Sequence, residues 1–383
     1  MKSKIYVSHQ HSVELCMEEL YKSMKKDFKN SCNFYFFAIH PSFSIDEIIP
    51  SIDKFFNTDK YVAFHAINSF KNNEIHQNSI VMCCIKFQNR GNVKVFYVED
   101  IENNVNGNVL DICSNYLNNN RNSFHILLAG LANGRFGTFL DNLSKMVEND
   151  VVSNFVGGIS SGFDVNGETL TYQFTGGKVI KNGLVIVTFE NVKGAIEVSL
   201  GFQPYGVTYE AEETNGYDLY SVVNSKKFIE VVNRILRGIK NPEVKHLWYA
   251  PLYMIDDQSG YVATLRTIKE IRDDHVVLFG PIKNGDKFKL SFAIPEDLID
   301  EDKNAAVRLK KRVDESEIAF NFSCIARQYI MEDKSIEEPK IYSDILGTNL
   351  FGFFTFGEIG PDKKFKKIKL YNETSLLVAM REL

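Results

Sequence analysis

A chain of 383 residues is longer than one hydrophobic core usually serves, about 250 to 300 residues, so two or three domains are expected. Hydrophobic residues at 44% against 24% charged give a globular balance and exclude a disordered chain. The net charge of −5 excludes a broad phosphate-binding surface, so nucleic acid is not an expected partner.

The densest cationic runs, RLKKR at Arg308–Arg312 and KKFKKIK at Lys363–Lys369, read as a solvated helix face and an amphipathic strand edge. Six cysteines with no C-x-x-C and no paired histidine spacing read as reduced thiols, with neither a zinc site nor a redox dithiol signalled. The opening MKSKIYVSHQHSVEL has no apolar leader, and the longest apolar run, Ile80–Ile85, is far short of the roughly 20 residues that span a bilayer. A cytoplasmic protein with no membrane partner is expected.

In chain order, Ser12 can cap a helix in which Val13, Cys16, Met17, Leu20, Met24 and Phe28 form one buried stripe. Short β-branched and aromatic runs predict strands at Phe34–Ile39, Tyr61–Ala66, Ile80–Phe87 and Val93–Glu99, with a helix over Ile45–Phe56. The order then recurs: a strand at Phe124–Leu131, a helix at Thr138–Glu148, a strand at Ser153–Gly158 and a hairpin over Leu170–Glu190. This spacing predicts a tandem duplication, residues 1–100 and 101–212. Asn182-Gly183, between two apolar runs, predicts a two-residue hairpin turn.

The pattern turns polar and acidic over Tyr205–Ser225, and a second domain, 213–383, is expected beyond it. There Ser225 opens a helix with Phe228, Ile229, Val232, Ile235 and Leu236 on one face. Strands follow at Leu247–Met254, Gly260–Ile268, His275–Leu278 and Lys287–Phe292, then a charged helix near Asn304–Val313 and three terminal strands. The expected fold class is α+β: two domains of mixed β-sheets covered by outer helices, the N-terminal one an internal duplication.

Three blocks of the C-terminal third carry a resemblance: FNFSCIAR (Phe320–Arg327), GFFTFGEIG (Gly352–Gly360) and YNETS (Tyr371–Ser375). In order and spacing they resemble the C-terminal half of FIST domains, whose pattern runs Phe-x-Cys-x-x-Arg, then Gly-Phe-x-x-x-Gly-Glu-Ile, then Asn-x-Thr. Upstream, FVGGISSGFDVNGETLTYQFTGGKVIKNGLVIVTFE resembles the Gly-Gly segment and hairpin of the N-terminal half. One segment departs: where the family writes Gly-Cys-Ser/Thr-x-Gly-Glu, the first repeat has Phe64-His65-Ala66-Ile67-Asn68-Ser69. The resemblance implies a sensory module of signalling proteins, bacterial ones among them, that binds a small ligand such as an amino acid. It implies a separate partner, such as a kinase or cyclase, that receives the signal. Some bacterial members resemble haem-binding nitric oxide sensors.

The expected pocket lining is Arg266, Ser323, Cys324, Arg327, Glu358, Asn372 and Thr374. Arg327 and Arg266 would meet an anionic group bidentately and Glu358 a cationic one, while the hydroxyls and the amide fix orientation. Against this stand an internal Arg-Glu ion pair that braces the domain, a surface role for Arg266, and turn chemistry for Asn372 and Thr374. Cys324 reads as a buried thiol; a nearby cation, Arg327, would favour its thiolate, but no base for nucleophilic catalysis is identifiable. His65, amid Tyr61, Val62, Phe64 and Ala66, has the aromatic setting of a haem ligand, with a satisfied core histidine as the alternative. A colourless protein without cofactor is the main expectation, haem the second, and an interaction module without any small ligand the third. Gly157-Gly158 and Gly176-Gly177 lack phosphate-loop spacing and read as close strand packing and tight turns.

Overall fold

The computed structural model describes residues 1–29, 32–103, 106–131, 134–224, 226–255, 264–362 and 367–383. The helix opening expected at Ser225, the first four residues of the strand expected over 260–268 and the start of the cationic run at 363–369 lie outside the described residues.

The first repeat comprises β1 (Lys2–Ser8), α1 (Val13–Asp27), β2 (Phe34–Ile39), α2 (Ile45–Phe56), β3 (Tyr61–His65), the hairpin β4 (Asn68–Lys71) and β5 (Glu74–Gln77), and β6 (Ile80–Lys86). Ser12 caps α1 as expected, its hydroxyl accepting from the Leu15 amide. Strand β2 is buried on both faces, and its alternation shows why FYFFAI has no polar positions. Phe34, Phe36 and Ala38 point into a central core, while Tyr35, Phe37 and Ile39 pack under α1 and α2.

The second repeat has the same plan: β7 (Asn92–Val98), α3 (Asn108–Asn119), β8 (Phe124–Ala129), α4 (Phe136–Met146), α5 (Asn149–Ser153), β9 (Phe155–Ile159), the hairpin β10 (Gln173–Thr175) and β11 (Lys178–Ile180), and β12 (Leu184–Glu190). The duplication extends to a third copy. Strand β13 (Val192–Ser199) begins it, and an insert follows: β14 (Gln203–Asn215), β15 (Asp218–Val222), β16 (Lys226–Lys227), α6 (Phe228–Ile235), β17 (Leu252–Ile255), β18 (Leu265–Arg266), β19 (Ile268–Ile271), β20 (Val276–Leu278) and β21 (Lys287–Phe292). The copy then resumes with α7 (Pro295–Arg312), β22 (Ile318–Cys324), α8 (Ile325–Met331), α9 (Glu337–Leu346), β23 (Leu350–Thr355), the hairpin β24 (Glu358–Asp362) and β25 (Lys367–Tyr371), and β26 (Ser375–Glu382). Residue 212 thus falls inside β14, and β13 pairs along its length with β26.

Each copy builds four strands of one sheet, and its hairpin completes another copy's sheet. The orders are β1-β6-β2-β3-β10-β11, β7-β12-β8-β9-β24-β25 and β13-β26-β22-β23-β4-β5. The hairpins join antiparallel: β10 on β3, β24 on β9 and β4 on β23. The inner faces of all three sheets meet in one core that includes Phe36, Phe64, Phe189, Phe320 and Phe351. Helices cover the outer faces, α1 and α2 on the first sheet, α3 to α5 on the second, α7 and α9 on the third. The insert's strands form a fourth sheet with its own core under α6.

Three local expectations are corrected. Asn182-Gly183 is not a hairpin turn, because β11 pairs with β10 in one sheet while β12 pairs with β7 and β8 in another. Glycine is needed there because a Cβ would run into the Val98 carbonyl. The tight hairpin is instead at Gly176-Gly177, whose φ values of 55° and 73° are those of a type I′ turn. The strand expected over Leu247–Met254 opens as a 3-10 turn, Val244–Tyr249. Arg308 and Arg312 are not simply solvated, since both reach Glu197 of β13. Among the described residues, no helix is long and apolar enough to cross a membrane.

Candidate functional site

The central strands of each copy run parallel, β2 with β3, β8 with β9 and β22 with β23. Segments that follow their carboxyl ends converge on a cavity of about 630 Å³, a size usual for small-molecule sites. The first copy contributes Ile67 and Asn68, the second Leu131, Phe163 and Thr169, and the third Cys324 to Ala326, Phe356 and Asn372. Trp248, Thr267, Lys269 and Phe279 of the insert close the other side. Aromatic and aliphatic side chains dominate, with a few polar groups: the Asn68 amide donates to Gln328 Oε1 at 2.9 Å, and Tyr329 meets Trp248 edge to face at 5.0 Å.

Behind the cavity's Asn372 and Thr267 lie two carboxyls. Glu358, at the start of β24, faces Gly158 across the sheet and accepts from the Thr355 hydroxyl, from Thr374 Oγ1 at 2.8 Å and from the Thr374 amide at 3.2 Å. Gly158 is what admits Thr355, since a Cβ there would stand 2.5 Å from Thr355 Cγ2. Glu373 accepts from Thr267 Oγ1 at 2.8 Å. Burial pushes both acids up to about 8, against the hydrogen bonds that favour their charged forms. Both are therefore largely neutral at pH 7.

The sequence-predicted residues divide. Cys324 and Asn372 line the cavity. Thr374 and Glu358 stand behind it, bonded to each other, and Ser323 is wholly buried. Arg327 is not where a ligand clamp would be. Its Nη2 donates to both Asp302 oxygens at 2.8 Å and its Nε to Glu338 Oε2 at 3.1 Å, all three side chains closed to solvent. Burial opposes its charge, yet Asp302 and Glu338 hold it cationic, and removing one partner of such a group costs roughly 3–5 kcal/mol. The ion pair is thus internal, but with Asp302 and Glu338 and not with Glu358. Arg266, half-buried, donates to the carbonyls of Pro281, Leu265 and Leu370 and fixes the insert to β25.

Cys324 does not gain a thiolate from Arg327: burial, then Glu358 and Glu373, push its thiol well up. His65 is enclosed between the rings of Tyr172 and Phe174, at 5.5 and 5.4 Å, and burial lowers it to about 4. It does not border the cavity, and among the described residues no histidine does. Among the described residues, the cavity wall thus offers a haem no histidine ligand.

Sequence reasoning missed Glu373, Thr267, Trp248, Phe163 and Phe356. Glu373 occupies the unspecified position of Asn-x-Thr, where no pattern asks for an acid, and the insert's residues belong to none of the three blocks.

A FIST N domain model matches residues 33–222 and a FIST C domain model residues 229–361. The chain belongs to the FIST family, whose domains are associated with sensing in signal transduction. An uncharacterized protein of Aquifex aeolicus is 30% identical over 264 residues, which is 68% of this chain and 97% of that relative.

Proposed function

We propose that this chain binds a small organic molecule, an amino acid or related metabolite, in the 630 Å³ cavity and reports its occupancy to a partner signalling protein such as a kinase or cyclase. The observation that carries the reading is the joint ownership of the cavity walls. Trp248, Thr267 and Phe279 belong to the insert, whereas Cys324, Phe356 and Asn372 belong to the three-copy body. A ligand held by both sets favours the arrangement in which they are apposed, and by its differential affinity shifts that equilibrium. The partner reads the shift.

Trp248 is the chain's single tryptophan and lies in the cavity wall, so its fluorescence isolates the site. In a screen of amino acids and related metabolites, a true ligand changes that emission saturably and raises the melting temperature by several degrees at a hundredfold excess over Kd. Tyr329→Ala removes an exposed side chain that packs on Trp248 and is expected to weaken binding roughly tenfold. The reading fails if no compound moves both signals, or if the variant leaves every response unchanged.

A further inference from the structure

Five ionisable side chains on and around the third sheet are wholly buried: one guanidinium, Arg327, and four carboxyls, Asp302, Glu338, Glu358 and Glu373. Arg327 spends its contacts on Asp302 and Glu338. Glu358 is held by two threonines, and its two oxygens are satisfied. Glu373 differs, because Oε1 accepts from Thr267 while Oε2 has no partner among the described residues. Just before it in the chain, Asn372 is 2% exposed, lines the cavity and leaves its Oδ1 unpartnered among the described residues. Buried polar atoms without partners are costly, about 1–3 kcal/mol each; Asn372 Oδ1 belongs to a residue of the cavity wall and Glu373 Oε2 to the residue behind it, and together they mark what the occupant must bring.

We propose that the cavity takes an organic amine whose ammonium group docks on Asn372 Oδ1 and Glu373 Oε2, with an aromatic or aliphatic body lying among Trp248, Phe163, Phe279 and Phe356. The proposal rests on the small-ligand reading above and narrows it to a chemical class. A donor-bearing pole satisfies Asn372 Oδ1, which an anionic pole cannot, and it meets the Glu373 carboxylate once the acid proton has left. The body fits the apolar walls, and the charged groups that line the cavity, Lys269 and Glu332, are both exposed. The groups facing Glu373 are Thr267 from the β18–β19 link, Glu358 from β24, Cys324 from β22 and, at longer range, Arg327 from α8. Burial first, and Glu358 after it, favour the protonated form of Glu373, against the Thr267 hydrogen bond and the more distant Arg327. An arriving ammonium favours the carboxylate, so the acid proton leaves to solvent as the amine binds.

The test uses the full chain and three probes of one shape at pH 7: phenethylamine, phenethyl alcohol and phenylacetate, each titrated against Trp248 emission. Phenethylamine is expected to bind at least tenfold more tightly than phenylacetate. Calorimetry in two buffers of different ionisation enthalpy is expected to show up to one proton released per amine and none with the alcohol. Asn372→Leu and Glu373→Gln should each erase the preference for the amine, and Glu373→Gln should abolish proton release while the alcohol still binds. If Glu373→Gln does not fold, Asn372→Leu carries the comparison alone. Equal binding of phenylacetate, or an amine preference that survives substitution, overturns the amine assignment and leaves the cavity reading standing. Silence from all three probes overturns the amine assignment, and the wider screen above then decides the cavity reading.

Discussion

Glu358 and Glu373 are carboxylic acids closed off from water, and that gives the protein a pH signature. Burial keeps them protonated to about pH 8, whereas in the unfolded chain a glutamate ionises near 4.3. Between those values the folded state holds protons that the unfolded state has released, so stability falls as pH rises through this window and levels off above it. Burial raises Asp302 too, while the Arg327 guanidinium beside it opposes that rise. Glu358→Gln keeps the shape and an oxygen to accept from Thr374 but removes one titration. Urea midpoints measured from pH 5.5 to 8.5 should decline in the parent chain, by at most about 1.4 kcal/mol per pH unit for each group. They should decline less steeply in the variant; equal slopes would assign the window to other residues. The sequence led to this neighbourhood, because FSCIAR and NET both border it. It did not reveal the pairing, because Arg327 meets partners 25 residues upstream and 11 downstream on two separate helices. A buried charge signals that partners exist, not where the fold finds them.

At the scale of elements, strands buried on both faces were the easiest to read. In β2 every residue must suit a core, so a continuous apolar run marks it; β8 is apolar apart from His125, and α2 carries a plain helical period. The corresponding outward face of β22 is polar at Asn321 and Ser323, where the Asn321 amide donates to Ser375 Oγ at 2.8 Å. Hairpins were harder, since Asn-Gly and Gly-Gly both encode tight turns and only the pairing of distant strands decides between them. The Gly157-Gly158 step in β9 has a packing reason at each position, Leu127's backbone for the first and Thr355 for the second. Gly158→Ala is expected to displace Thr355 and with it the hydroxyl that Glu358 needs, at a cost of roughly 1–3 kcal/mol in denaturant unfolding. Combined with Thr355→Ser, which removes the obstructing methyl and keeps the hydroxyl, most of the loss should return. A variant that gains nothing from the second change would place the strain elsewhere.

The whole molecule is three interlocked copies with one insert, and the repeat spacing exposed only two of them. The third was hidden because about 95 residues, 200–294, separate β13 from α7, so its first strand reads as the end of what precedes it. Interlocking makes the copies mutually dependent. A fragment of residues 1–222 lacks β24 and β25 beside β9, and leaves β4 without β23. Expressed alone, it is expected to show no single cooperative urea transition, with fast amide exchange in β4, β5 and β9; co-expression with 223–383 should restore protection. Cooperative unfolding of the isolated fragment at full-chain stability would contradict this dependence.

The same cyclic exchange of hairpins sets a clock during synthesis. Lys71 pairs with Phe351, 280 residues later in the chain, so β4 and β5 leave the ribosome long before their sheet exists. At roughly 5–20 residues per second the delay is about 15 to 55 s. For that interval Phe70, wholly buried in the finished protein, has no core to enter. The pace of translation between these two residues therefore governs how long the nascent chain presents an open strand to its neighbours.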